Sequence, residues 1–306
     1  MTIRNTALWR AARKNYSFCK RQLLWVVKYL TTPGDELVHF RCNVCGVRTR
    51  FPRKDMGREQ WSCRSCASTV RWRSVIHALS VELFGKSLAI AEFPYRPDLV
   101  GVGLSDWEGY ANRLVKKIGY TNTFYHQEPL LDITCIDSMQ HGQYDFLISS
   151  DVFEHICPPI SDAFQNAYKL LKPGGVMILT IPYVEGETRE HFPEVRKFTV
   201  AQEGSTWTLH GITADGGPQR FTDLTFHGGP GTVLEFRLFG KTSIEQESRN
   251  SGFDPVRIHG EAAMEFGIVW NRYIPEEAPY RPLIYGLDTP PWVLVKARSK
   301  ESGIEP

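Results

Sequence analysis

The sequence predicts an α/β protein in which a doubly wound, Rossmann-like sheet follows a small N-terminal zinc ribbon. Three observations carry that prediction. From residue 87 onward, short β-branched runs alternate with longer stretches of helical spacing, an order that implies a parallel sheet with helices on both faces. Four of the 7 cysteines fall as Cys42-x2-Cys45 and Cys63-x2-Cys66, with 17 residues between the pairs. Pro173-Gly174-Gly175 stops a helix and turns the chain tightly into an apolar run.

Along the chain, residues 6–30 read as a helix with Trp9, Tyr16, Leu23, Leu24, Val27 and Leu30 set among Arg10, Arg13, Lys14, Lys20, Arg21 and Lys28. Such a helix can lie on an anionic membrane surface or pack on the body of the protein. Thr32-Pro33-Gly34 ends it. In 40–68 each cysteine pair can bring two thiolates onto one tetrahedral ion, and the stretch between them is long enough for a hairpin. Gly46 permits the tight turn of such a knuckle. With every ligand drawn from the protein the zinc is structural. Four buried cysteines or a pair of disulfides are the alternative, and disulfides are disfavoured in a chain with no secretion signal. A helix over 70–85 follows.

Strands are expected at 87–92, 99–104, 122–126, 144–150 and 175–182, with helices at 107–118 and 159–171. A Gly- and charge-rich region reaches to about residue 243 and holds hairpin strands at 197–200 and 207–213. A helix over 242–251 and strands at 255–259 and 292–297 complete the sheet. Ligands of such sheets bind at the carboxyl ends of the strands, near the topological switch point.

Hydrophobic residues are 42% and charged residues 23%, which excludes wholesale disorder and a collagen-like chain. The apolar run Leu23-Leu24-Trp25-Val26-Val27 falls far short of the ~20 residues of a spanning helix. No apolar segment precedes a small-residue cleavage site, so a cytoplasmic protein is expected. The net charge of +2 hides an asymmetry: residues 1–80 carry 16 Lys/Arg and 4 Asp/Glu, a balance of +12, against −10 for the rest. A basic head suggests an anionic partner, whether phospholipid, nucleic acid or a phosphorylated carrier, or simply a solvated face.

The stretch Tyr144-Asp145-Phe146-Leu147-Ile148-Ser149-Ser150-Asp151-Val152-Phe153-Glu154-His155-Ile156 and the later Leu170-Leu171-Lys172-Pro173-Gly174-Gly175-Val176-Met177-Ile178-Leu179-Thr180-Ile181-Pro182 resemble class I S-adenosylmethionine-dependent methyltransferases. They look like the fourth strand of that fold and its turn into the fifth. Phe226-His227-Gly228-Gly229, Leu234-Glu235-Phe236-Arg237 and Ser251-Gly252-Phe253, with the four cysteines in front, are similar to a bacterial subgroup associated with surface-polysaccharide synthesis. The resemblance covers about residues 40–298. It implies a mostly parallel sheet with an antiparallel last strand, S-adenosylmethionine as cofactor and structural zinc. It also implies a division into a basic helix (1–39), a zinc ribbon with linking helix (40–85), a methyltransferase domain (86–298) whose insertion 183–243 forms the substrate side, and a tail (299–306).

These enzymes usually turn from first strand to first helix through Gly-x-Gly-x-Gly; Val100-Gly101-Val102-Gly103-Leu104-Ser105-Asp106 has two of the three glycines. On this alignment Gly101 and Gly103 approach the cofactor and Glu128 bonds the ribose hydroxyls. Asp132 matches the position that contacts the adenine amino group, while Ser150 and Asp151 face the reactive methyl. An alternative alignment makes 87–92 the first strand. A hydroxyl acceptor wants a general base, and His191, His155 and His227 are the candidates. Glu190-His191 also resembles a pair found in sugar C-methyltransferases, so a carbon acceptor stays open. Acceptors are therefore a small-molecule or carrier-linked sugar. An RNA-modifying enzyme and an inactive zinc-ribbon adaptor are the other readings, although no base-recognition motif accompanies the basic head.

Overall fold

The computed structural model describes residues 7–270 and 289–298, with side chains from residue 19; the expected tail lies outside them. Helix α1 (Ala7–Thr31) leads into a hairpin of β1 (Leu37–Arg41) and β2 (Arg48–Pro52), paired from Leu37↔Pro52 to Arg41↔Arg48. Helix α2 (Val70–Phe84) starts at Thr69, whose hydroxyl accepts from the Trp72 amide, and ends at Gly85 in the left-handed conformation.

Residues 87–92 form no strand. Ile90–Glu92 is a single 3-10 turn, because the Glu92 carboxylate caps the Ala89 amide and the Ile90 amide donates to Asn43 O in the ribbon. The sheet begins with β3 (Arg96–Leu104), followed by α3 (Glu108–Leu114) and β4 (Ile118–Thr123). Helix α3 is shorter than the spacing predicts, since Lys117 leaves it to donate to the carbonyls of Ala91 and Phe93. β4 therefore starts four residues early, and Gly119 fits there because a Cβ would lie 2.5 Å from Pro97 O.

Next come β5 (Tyr144–Ser150), α4 (Ser161–Leu170) and β6 (Leu171–Thr180). Short strands β7 (Tyr183–Val184) and β8 (Arg189–Glu190) enter the insertion. Its main sheet is β9 (Val195–Glu203), β10 (Thr206–Thr213) and β11 (Pro218–Phe221), all antiparallel. β12 (Phe226–His227) pairs with β13 (Val233–Leu234), and β14 (Arg237–Gly240) pairs with β7 and β8. Helix α5 (Lys241–Asn250), β15 (Phe253–Ile258) and β16 (Trp292–Lys296) return to the main sheet.

The main sheet has the order β15-β16-β6-β5-β3-β4. β4, β3, β5 and β6 are parallel, and β16 runs antiparallel to both β6 and β15. The order reverses between β3 and β5, which places the switch point there. Alternation along β5 sends Phe146 and Ile148 into one core and Leu147 into the other. The first core also holds Phe40 and Phe51 of the ribbon, Ile76 and Leu79 of α2, and Tyr110 of α3. Ribbon and sheet thus share one apolar interior.

Candidate active site

In the ribbon the Sγ atoms of Cys42 and Cys66 lie 3.7 Å apart and those of Cys45 and Cys63 3.6 Å apart. A tetrahedral ion with bonds of about 2.3 Å needs edges of roughly 3.8 Å, so the set fits zinc. The chemistry of the donors agrees. Neighbouring cysteines, Cys42 first, push the Cys63 and Cys66 thiols up, so the four cannot all ionise without a cation among them. Gly46 (φ 78°) and Ala67 (φ 63°) close the two knuckles, whose amides bond back to Cys42 O and Cys63 O. Arg73, fully buried, donates to Ser62 Oγ, Ser68 O and Gly267 O beside the thiolates.

A cleft of about 1630 Å³ opens at the carboxyl ends of β3, β4 and β5. The ribbon side supplies part of its wall. Arg58, 1% exposed, clamps Asp151 through two bonds of 2.5 and 2.9 Å. Arg71, in the first turn of α2, donates to Ser150 Oγ at 2.6 Å, pairs with Glu59 and lies 3.2 Å from Asp151. Burial alone would raise the Asp151 acid; the charges of Arg58 and Arg71 outweigh it and hold the carboxyl well below the usual range. Trp72 and Trp107 stack at 3.9 Å and both line the cleft.

The turn after β3 explains the incomplete glycine pattern. Ser105 stands where the third glycine would fall, and it takes the left-handed conformation itself (φ 55°). A Cβ at Gly101 would strike the Phe146 ring, and one at Gly103 would strike Tyr120 Oη and Asp106. These glycines make room inside the fold and do not line the cleft. Asp106, 3% exposed, accepts from Tyr120 Oη at 2.5 Å, and burial pushes its acid up to about 7.

After β4 the cleft is lined by Tyr125 and His126, then by Leu131, Asp132 and Ile133. Asp132 accepts from the Thr134 amide and hydroxyl, both through Oδ1. Glu128 lies outside the lining; the chain bends at Pro129 and its carboxylate caps the Leu130 amide at 3.1 Å.

The insertion closes the far wall and brings two candidate bases together. His155 Nδ1 donates to Leu234 O at 2.8 Å, which leaves Nε2 facing His227 Nδ1 at 2.6 Å. Both rings line the cleft. Burial lowers both, His227 to about 4, so they are neutral at pH 7. Beside them Glu154 is 2% exposed; among the described residues neither of its carboxyl oxygens has a hydrogen-bond partner, and burial, then the Asp151 charge, push its acid well up. His191 stays behind the wall, with Nε2 2.9 Å from Glu235 Oε1. Arg237, fully buried, fixes this corner by donating to Phe153 O, Ile156 O and Glu190.

The structure thus gathers Asp132, Ser150, Asp151, His155 and His227 around one cleft and leaves Gly101, Gly103, Glu128 and His191 outside its lining. Sequence reasoning missed Arg58, Glu59, Arg71, Trp72 and Trp107. The one signal was the excess of arginine in the head, which bears on Arg58 and Arg71 alone.

The sequence profile of the methyltransferase-domain family matches residues 86–257. No curated protein matches the chain. Among solved structures, 1,6-didemethyltoxoflavin-N1-methyltransferase of Burkholderia thailandensis is similar with a TM-score of 0.39 and 13% identity, over 74% of this chain and 78% of its own. A sugar N-methyltransferase from Streptoalloteichus sp ATCC 53650 is similar with a TM-score of 0.39 and 11% identity, over 77% and 89%. An amino pentose methyltransferase of Micromonospora echinaspora has a TM-score of 0.34 and 10% identity, over 74% and 95%. With its sheet order and a family match over more than half of its length, the chain belongs to the class I S-adenosylmethionine-dependent methyltransferases.

Proposed function

We propose that the protein methylates a hydroxyl of a sugar or glycan precursor in surface-polysaccharide synthesis, on the cytoplasmic side. The observation that carries this reading is the neutral His155–His227 pair lining the same cleft as the ends of β3, β4 and β5. The bound cofactor supplies a methyl on a sulfonium, open to in-line displacement. The residues along the wall match its parts. Arg71 offers a cation to its carboxylate, Trp72 and Trp107 offer aromatic faces, and Asp132 offers an acceptor to the adenine amino group between Leu131 and Ile133. Ser150 and Asp151 position Arg71 at the strand end. On the insertion side, the histidine pair orients and polarises the incoming hydroxyl, and in a neutral state it can accept a proton.

Zinc in the ribbon is structural in this reading, and residues 40–85 serve as a wall of the active site as well as a brace. The exposed apolar side of α1 sits against an anionic membrane, which suits a carrier-linked acceptor. The test begins with calorimetric titration of the zinc-loaded protein with S-adenosylmethionine and S-adenosylhomocysteine. Micromolar binding is expected, weakened at least tenfold in Asp132→Ala. Labelled methyl should then appear on oxygen when nucleoside-diphosphate sugars are offered. Transfer to RNA alone, with binding that falls steeply with salt, would replace the sugar reading.

A further inference from the structure

We propose that Glu154, His155 and His227 form a second metal site, which takes a first-row divalent ion and presents it to the cleft. Whether the ion binds is independent of the function proposed above. What it does there rests only on the hydroxyl acceptor of that reading, because with the ion bound the two imidazoles are ligands and no longer bases, and the ion holds and polarises the hydroxyl in their place.

Geometry is the first support. His155 Nε2 and His227 Nδ1 are 2.6 Å apart, and each lies 3.8 Å from Glu154 Oε1. The centre of that triangle is about 2.0 Å from all three atoms, the length of a metal–nitrogen or metal–oxygen bond. The second support is Glu154 itself. It is 2% exposed and, among the described residues, neither of its oxygens is hydrogen-bonded. Burial, and then the Asp151 charge, hold it as an acid, and a cation between it and the two imidazoles would give the ionised carboxylate a partner. Nothing in the proposed base chemistry uses it.

The surrounding bonds suit ligands. His155 Nδ1–H donates to Leu234 O, so its Nε2 lone pair points away from that bond. His227 Nε2 lies 3.8 Å from Glu235 Oε2, and Glu235 in turn meets His191 Nε2 at 2.9 Å. When the ion enters, the proton between the two rings would move to His227 Nε2, on the Glu235 side, and the carboxyl proton of Glu154 would leave to solvent, so one proton is released for each ion bound. Two imidazoles and one carboxylate leave the remaining coordination positions open. The donor set differs from the four thiolates of the ribbon, so the two sites prefer different ions.

The experiment uses the full chain with zinc at one per chain, verified by atomic emission. Manganese(II) is titrated in, and the loss of the free ion's paramagnetic resonance is followed, with cobalt(II) as a second probe. One added equivalent should bind at micromolar concentration and raise the thermal midpoint. Glu154→Gln and His227→Ala should each weaken binding at least tenfold and abolish the midpoint shift while zinc stays at one per chain. If neither ion binds below millimolar, or if both variants bind as tightly as the native protein, the site is overturned. Binding without any methyl transfer to oxygen would leave the site standing and remove the proposed acceptor. Transfer that survives undiminished with no ion bound would overturn the ion's part in holding the acceptor and leave the base reading of the histidine pair.

Discussion

Asp106 illustrates how a single buried carboxyl ties stability to pH. Its acid is raised to about 7 by burial, against the pull of Tyr110 and Tyr120, whereas an unfolded aspartate titrates near 3.9. The folded state therefore holds this proton more tightly than the unfolded chain. The stabilisation is whole below about pH 4 and is lost as pH climbs through about 7, a swing on the order of 4 kcal/mol. Asp106→Asn keeps an acceptor for Tyr120 and should flatten the stability profile across that window, with a higher unfolding midpoint near pH 8. Urea melts of both proteins at several pH values decide it; parallel profiles would mean that the carboxyl titrates normally. At this scale the sequence was legible where a residue's neighbours in the chain determine its place. Ser150 closes β5, Asp151 comes next and His155 follows soon after, as the motif placed them. Asp132 was reached only through its match to the family position, and its Asx turn with Thr134 appears in the structure alone. Arg58 and Arg71 were not legible, because they meet Asp151 from 93 and 80 positions away and no local pattern encodes that contact. Residue type and spacing do not say which way the chain leaves Pro129, so the place of Glu128 outside the cleft lining was not legible either.

Among the elements, the hairpin of the ribbon depends on a distant turn. Gly267 has φ 67°, and a Cβ there would lie 2.5 Å from the Phe40 ring on β1. Gly267→Ala combines a left-handed penalty with overpacking and should cost about 2–4 kcal/mol in zinc-saturated urea melts. Helix α1 has two characters. Trp25 donates to Arg50 O, Gln22 to Arg64 O and Lys28 to Asp55, so one side packs on the ribbon. Leu23 (66% exposed), Val27 (49%) and Leu30 (74%), spaced for one helical face, are left to solvent. Flotation with phosphatidylglycerol vesicles at low salt should capture the protein, and Leu23→Glu with Leu30→Glu should reduce capture at least tenfold. Capture that ignores anionic lipid would sink the electrostatic part. Both alternatives posed for this helix thus have a side of it to act on. The elements themselves were readable from periodicity wherever they were long. β4 and α3 slipped because a side-chain contact, Lys117 on the carbonyls of Ala91 and Phe93, sets the helix end. The 87–92 segment has strand-like composition but spends its amides on the ribbon.

At the scale of the molecule, ribbon and sheet cannot be treated as separate pieces. Phe40, Phe51 and Val70 share one core with Phe146, Ile178 and Val293, and the arginines of the head reach the strand ends of the cleft. Removing zinc should therefore weaken S-adenosylmethionine binding at least tenfold, although none of Cys42, Cys45, Cys63 and Cys66 lines the cleft. Titration before and after chelation, with recovery on adding zinc back, measures this. Unchanged affinity would separate the two parts. The charge asymmetry visible in the sequence acquires a meaning here, since part of the basic head is internal counter-charge for Asp151 and Glu59.

The stacked indoles of Trp72 and Trp107 come from opposite sides of that seam, their ring centres 3.9 Å apart and their planes nearly parallel. Transition dipoles held so closely couple, and the near-ultraviolet circular dichroism should split into a pair of bands of opposite sign that Trp107→Phe erases. The molecule thus carries a label-free optical gauge of its own assembly, in which the parting of ribbon from sheet is read as light before any reaction is assayed.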